Sequence, residues 1–480
     1  MDAAKLQEAL DYGSSQASFA VRVYRHGCLV GEDRFAPSNR GTQYESYSMA
    51  KSVTSMMFGR AMTLGLISPD DLVGALVPEA DRPHGAISMR DLLTMTSGLR
   101  WNGFRDYNVF TMPDRVRDAL TLEVVRKRGT YFEYAQSAVA LLAEAVGRSA
   151  GEDAHAFVQR QLMDPLGIPV DAWRWERDKA GHVQGFYGVN MRPDDFGRLG
   201  ELLRRGGVWR GRRLLSQDYV RTAVAPTRTN GCYGWLIWIN AGAPCVGPTI
   251  GSRPVEPGRM FPDLPADLYS FSGLFGQRVT VFPSLGLLVV RTGQDPDMPF
   301  FGDASNYGPQ WEHGLYTRVL AAVTDERIVP PGKPRNYGDQ QEADYGFQTS
   351  LLEPDQYSQG VQQQELPPAG PRRARAAQLR LGRGRASVHG KVFVLLACPA
   401  RWPGSKPHGC EGRAKLEGAK RSVPYDVAPG KTKRLRFRLT AKRLRALRRA
   451  GKAALDVVAT NSDAGGGARS ATELTVKRPR

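Results

Sequence analysis

Ser48 and Lys51 are the residues of this 480-residue chain whose types and spacing could do chemistry. They form its only Ser-x-x-Lys, within Tyr47-Ser48-Met49-Ala50-Lys51. On a helix, an i,i+3 spacing sets both side chains on one face. A hydroxyl beside an amine is a nucleophile beside a base. With 26 Ser and 14 Lys in the chain, chance alone supplies about one such pair, so its meaning rests on context.

The elements around the pair come next. Val53, Met56, Met57, Met62 and Leu64 recur at helical spacing, with Gly65 at the expected C-cap, so a helix is predicted from 48 to about 64. Gly59 and Ala61 allow another element to pack closely against it. Residues 18–24 and 28–30 read as a strand pair, and 36–46 as a polar loop. Ser88 and Asp91 open a short capped helix that ends at Gly98. Helices are expected at 136–148, 153–163, 194–205, after Ser216, and over about 310–325. Strands are expected at 233–239, 278–282 and 287–291, the last two as a hairpin. Strands at both ends with helices between them predict an α+β fold, an antiparallel sheet with a helical insertion.

Other chemistry is poorly supported. Gly147-Arg148-Ser149-Ala150-Gly151 fits a nucleophile elbow in letters only, because a helix rather than a strand runs into it. It reads as a helix C-cap. The seven histidines are scattered, with no His-Glu-x-x-His and no phosphate loop. No metal and no cofactor is expected.

Charge divides the chain. The net charge is +18, yet residues 371–480 hold 28 Lys and Arg against 6 Asp and Glu. The first 370 residues are mildly acidic. We read 1–327 as the chemical domain, 328–372 as a Pro/Gln-rich linker, and 373–480 as a basic all-β domain of small β-sandwich character. The basic domain suits an anionic polymer, or is simply a solvated basic surface. Its few aromatics, Phe393, Trp402, Tyr425 and Phe437, weigh against single-stranded nucleic acid. Cys398 and Cys410 either close a short loop or remain two thiols. The N-terminus has no signal-peptide pattern and no run of 18 apolar residues occurs. The character of the C-terminal domain suggests export or envelope association, so localisation stays open.

Four strings in order make the chemical domain recognisable. They are Tyr47-Ser48-Met49-Ala50-Lys51; Met89-Arg90-Asp91-Leu92-Leu93-Thr94-Met95-Thr96-Ser97-Gly98-Leu99; Gly129-Thr130-Tyr131-Phe132-Glu133-Tyr134-Ala135-Gln136-Ser137; and Tyr269-Ser270-Phe271-Ser272-Gly273-Leu274-Phe275-Gly276-Gln277. Across about residues 15–325 the chain resembles the serine β-lactamase-like hydrolases. These include class C β-lactamases, DD-peptidases, esterases and 6-aminohexanoate-dimer hydrolases. The resemblance implies a β-lactamase/transpeptidase-like fold. It implies Ser48 as nucleophile, with Lys51 and Tyr134 moving its proton. It also implies an oxyanion hole from the backbone N–H groups of Ser48 and Leu274.

Two positions depart from the family. Gln136 stands where the family has Asn, and Phe271 stands where many members carry Lys or His. Loss of that cation removes a handle for a substrate carboxylate. It favours an ester or amide over a β-lactam or D-Ala-D-Ala substrate. Ser272, Gly273, Phe275, Trp235 and Trp238 complete the expected substrate surface, with at least one tryptophan expected in the core. The alternatives are β-lactamase or DD-peptidase activity, or a catalytically weak binding protein on this scaffold.

Overall fold

The computed structural model describes residues 1–101, 105–106, 112–248, 255–296, 310–328, 332 and 335–336, and, further on, 380–381, 384–386, 391–397, 410–416, 419, 421–428, 431–441, 445, 452–461 and 467–476. Contacts divide the chain into two units, Met1–Glu365 and Leu366–Arg480.

The first unit opens with a helix that sequence reasoning did not find, α1 (Ala3–Ser15), capped by the Asp2 carboxylate on the Ala4 and Lys5 N–H groups. There follow β1 (Ser18–Arg25), β2 (Cys28–Glu32) and the two-residue β3 (Tyr44–Glu45), which interrupts the expected loop. Helix α2 (Met49–Thr63) is where the spacing puts it, and Gly65 beyond it is left-handed. Helix α3 (Met89–Leu93) has the Ser88–Asp91 capping box, but it ends at Thr94 rather than Gly98. Helix α4 (Arg115–Ala119) precedes α5 (Gln136–Ala150). Gly151 caps α5 in the left-handed region, so Ser149 lies in a last helical turn and the elbow reading falls.

Short strands β4 (Trp173–Trp175) and β5 (Val189–Met191) pair with β3 in the order β3-β5-β4. Helices α6 (Pro193–Arg204) and α7 (Gln217–Ala223) follow, the latter capped by Ser216. The strand expected over 233–239 is reduced to β6 (Trp238–Ile239). Leu236 takes φ +55 and the Gly234 N–H bonds to the Ile237 carbonyl, so the chain turns just before it. Then come β7 (Tyr269–Gly273), β8 (Gln277–Phe282), β9 (Leu287–Gly293) and α8 (Gln310–Ala321).

Six strands form one antiparallel sheet in the order β2-β1-β9-β8-β7-β6. Strand β9 shows why the apolar run 287–290 is unbroken. Leu288 and Val290 enter one core with α2, α5 and α6, while Leu287 and Val289 enter a second core with α1 and α8. A strand covered on both faces needs no polar alternation. This is the β-lactamase/transpeptidase-like α+β architecture expected from the resemblance.

The expected linker lies mostly outside the described residues. Arg335–Asn336, however, pairs in parallel with Gly242–Ala243 of the first unit. Cys232 and Cys245 form a disulfide with a Cα–Cα distance of 4.9 Å, a pairing the sequence did not suggest. Cys398 lies outside the described residues. In the second unit, eight described strands are joined by hydrogen bonds: 380–381, 384–386, 391–397, 410–416, 423–427, 432–438, 452–461 and 467–476. Among the described residues, no helix is long and apolar enough to cross a membrane.

Close packing on α2 gives the first prediction. A Cβ at Gly59 would fall 2.5 Å from the Tyr219 ring. Ala in a helix gains about 1 kcal/mol over Gly, but overpacking costs about 1–3 kcal/mol. Gly59→Ala is therefore expected to lower the urea midpoint. An unchanged or raised midpoint would refute this packing argument.

Candidate active site

The site begins where α2 begins. Tyr47 takes φ +47, a left-handed conformation unusual outside Gly, and Ser48 then enters helical geometry. The Ser48 side chain makes no cap hydrogen bond to the helix, so its hydroxyl is left to other partners. Lys51 Nζ lies 2.9 Å from Ser48 Oγ and donates to the Phe186 carbonyl at 3.2 Å. The amine is buried and sits 4.6 Å from the centroid of the Tyr134 ring. Burial drives the Lys51 amine down to about 7, and the nearby Asp106 charge works against that fall. Around neutral pH a sizeable share of the amine therefore carries a lone pair directed at a hydroxyl.

Tyr134 stands two residues before α5, wholly buried, stacked on Trp238 at 5.7 Å and edge-on to Tyr233. Burial raises its phenol, and a hydrogen bond with Ser48 partly offsets that rise. The structure thus brings Ser48, Lys51 and Tyr134 to one point. Gln136 opens α5, and its buried Oε1 has no hydrogen-bond partner among the described residues.

The end of β7 closes the other side. A Cβ at Gly273 would collide with the Ser46 carbonyl, so glycine lets this strand pass directly over the approach to Ser48. Phe275 is half-buried at φ +58, its ring edge-to-face with Tyr47 at a centroid distance of 5.1 Å. Arg291 holds that turn by donating to the Phe275 and Gly276 carbonyls at 3.1 and 2.9 Å. Leu274 lies between, half-buried.

The remaining expected residues are placed less directly. Phe271 is fully buried in the core on the α2 side. The Ser272 hydroxyl donates to Ser270 Oγ at 3.3 Å, and Ser270 in turn contacts Thr280 on the α8 side of the sheet. Trp235 packs against Phe58 and Tyr219 in the core, and Trp238, not Trp235, lies against Tyr134.

Three contributors escaped the sequence. Glu45 accepts from the Tyr47 and Gly188 N–H groups at 2.9 and 3.0 Å and from Asn190 Nδ2 at 2.7 Å. It ties the backbone leading to Ser48 to the segment whose Phe186 carbonyl holds Lys51. Burial pushes this carboxyl up to about 7. Arg278 donates to Glu312 at 2.9 Å and to the Gly273 carbonyl at 2.7 Å, so it is committed to the sheet beside the site. Asp106 accepts from the Gln136 and Ser137 N–H groups. Only this last had a sequence signal: α5 starts at Ala135-Gln136 without a residue able to cap it. Among the described residues, no group of three or more His, Cys, Asp and Glu could hold a metal ion.

The buried amine gives the second prediction. Lys51 is held below its ordinary value of 10.5 when folded. Between about pH 7 and about pH 10 the unfolded chain therefore binds more protons than the folded one, and stability rises with pH. Lys51→Met is expected to abolish turnover yet raise the urea midpoint at pH 6–7, with the gain shrinking towards pH 10. A gain that grows with pH would contradict the burial argument.

The Beta-lactamase family model matches residues 5–307. A putative 6-aminohexanoate-dimer hydrolase from Bacillus anthracis superposes with a TM-score of 0.50 at 16% identity, covering 66% of this chain and 81% of that one. A putative beta-lactamase from Bacteroides dorei superposes with a TM-score of 0.50 at 19% identity, covering 65% and 96%. At such identities the likeness speaks for the fold alone. No curated protein sequence matches the chain. The family match spans most of the first unit and the sheet has the corresponding architecture; the chain belongs to the Beta-lactamase family of serine hydrolases.

Proposed function

We propose that the protein hydrolyses an ester or amide through an acyl-enzyme on Ser48. The observation that carries this reading is the buried amine of Lys51, 2.9 Å from the Ser48 hydroxyl with Tyr134 at the same oxygen. Neutral Lys51 takes the Ser48 proton as Oγ attacks the substrate carbonyl carbon. The resulting oxyanion is received by the N–H groups of Ser48 and Leu274. One such donor typically contributes about 3 kcal/mol to the transition state. Collapse expels the alcohol or amine, which takes up the proton through Lys51 and Tyr134. Water then attacks the acyl group and restores Ser48.

Substrate preference follows from charge. The Phe271 position offers no cation, and Arg278, whose charge reaches the Tyr134 phenol, is paired with Glu312. A substrate carboxylate therefore has no free counter-charge from these two residues. The half-buried aromatic rings of Tyr47 and Phe275 favour an apolar group instead. Gln136, one methylene longer than Asn, has its buried Oε1 available to a substrate N–H.

The test is turnover of p-nitrophenyl esters and short amides. Ser48→Ala is expected to lower kcat/KM by 10³-fold or more, on the order of other nucleophile deletions, and to lose labelling by a serine-directed phosphonate. Equal turnover by both proteins would sink the reading. Rapid, tight labelling by a fluorescent penicillin would move the preference to β-lactams or peptidoglycan-like peptides.

For the second unit we propose binding to an anionic polymer. Along 434–439, Arg434, Arg436 and Arg438 are exposed, whereas Leu435, Phe437 and Leu439 are buried. Strand alternation therefore sets a row of guanidinium groups on one face. The full chain is expected to stay on heparin resin through moderate salt, and a chain truncated after 365 to elute early. Identical elution would argue for a merely solvated basic face.

A further inference from the structure

Helix α5 carries the proton-transfer phenol at its entry and Gln136 in its first turn, yet its own N-cap residue is Ala135, which supplies no cap. A helix start leaves N–H groups without intrahelical partners. Here they are met from 30 residues upstream. Asp106 Oδ2 accepts from the Gln136 N–H at 2.8 Å, and Oδ1 accepts from the Ser137 N–H at 3.3 Å. The carboxylate is 4% exposed. Two acceptor oxygens on one rigid group suit two adjacent donors, and the positive end of the helix dipole favours their negative charge.

Such a carboxylate is a costly way to cap a helix, because a buried charge needs compensation. The charged groups facing it are Lys51 from α2 and Arg115 from α4, with the Tyr134 phenol also within its field. Arg115 is itself held by other groups. Its N–H donates to Asp178 Oδ2 at 2.9 Å and its guanidinium to the Arg105 carbonyl at 2.6 Å. It faces Asp118, Asp178 and Arg105 as well as Asp106. It also lies 5.3 Å from the centroid of the Phe186 ring, the residue whose carbonyl holds the Lys51 amine. Asp106 is thus the carboxylate whose charge reaches the Lys51 amine, while Arg115 is shared with Asp118 and Asp178.

We infer that Asp106 is a positioning residue of this hydrolase: it fixes the start of the helix that presents Tyr134 and Gln136, and sets a negative charge within the field of the buried Lys51 amine. Desolvation alone leaves Lys51 a weak base. The Asp106 charge opposes that loss and holds the amine at about 7, where it is both neutral enough and basic enough to accept the Ser48 proton. Burial raises Asp106 itself to about 6, against the helix N–H bonds and the two cations.

This inference rests on Ser48, Lys51 and Tyr134 acting as proposed above, and the experiment separates the two. The pH profile of kcat/KM on a p-nitrophenyl ester is measured for wild type, Asp106→Asn, Asp106→Ser and Asp106→Glu. Folding is checked by circular dichroism and Ser48 labelling by a serine-directed phosphonate. In the neutral variants the acid limb is expected to move to lower pH by about one unit or more, as Lys51 loses its negative neighbour, and the plateau to fall. Asp106→Glu is expected to keep the limb near its wild-type position. A purely structural cap would lower the plateau and leave the limb in place. An unmoved limb in a folded neutral variant, or failure of both neutral variants to fold, overturns the inference. Wild type without Ser48-dependent turnover would instead overturn the proposed function.

Discussion

A single buried amine organises the catalytic unit. Lys51 reaches Ser48 from one helical turn away, and everything around it serves to exclude water without stranding a charge. The Phe186 carbonyl receives one N–H and the Tyr134 ring covers another side. Removing water lowers the proton affinity of the amine, whereas an exposed lysine stays protonated near neutral pH. Burying such a group works against stability.

Around that amine the backbone is held in unusual states on two sides. Tyr47 at φ +47 immediately precedes Ser48, and Phe275 at φ +58 immediately follows Leu274. Neither position is glycine, so each conformation depends on its surroundings. Glu45 supplies them for Tyr47 by accepting its N–H. Arg291 supplies them for Phe275 by taking its carbonyl. The two rings then meet edge to face at 5.1 Å. Two separately braced turns thus bring Ser48 and Leu274 towards each other, with Gly273 allowing the close crossing over Ser46.

The charge distribution separates two tasks along the chain. In the first unit the buried arginines are committed: Arg278 to Glu312, Arg22 to Asp194 and Glu32, Arg105 to Asp118. They tie strands and helices together rather than reach for a ligand. In the second unit, arginine alternates with apolar residues on a strand, so burial of one face leaves the guanidinium groups on the other. The two halves use the same side chain for opposite ends.

By itself the sequence pointed to most of the elements and to the Ser48–Lys51 pair. An i,i+3 hydroxyl and amine, the capped helix at Ser88, the apolar run at 287–290 and the glycine after α5 are local signals. Local signals depend only on neighbouring residues and the 3.6- or 2-residue period. Tertiary structure decided the rest, because its partners lie far apart in the chain. Asp106 meets Gln136 across 30 residues and Glu45 meets Gly188 across 143. No periodicity encodes either contact. Trp235 and Trp238 look equivalent in sequence and both are buried in one core, and only the turn at Leu236 sets the first against Phe58 and Tyr219 and the second against Tyr134. Even for Lys51, the sequence named the residue, but only the fold removed the water from its amine.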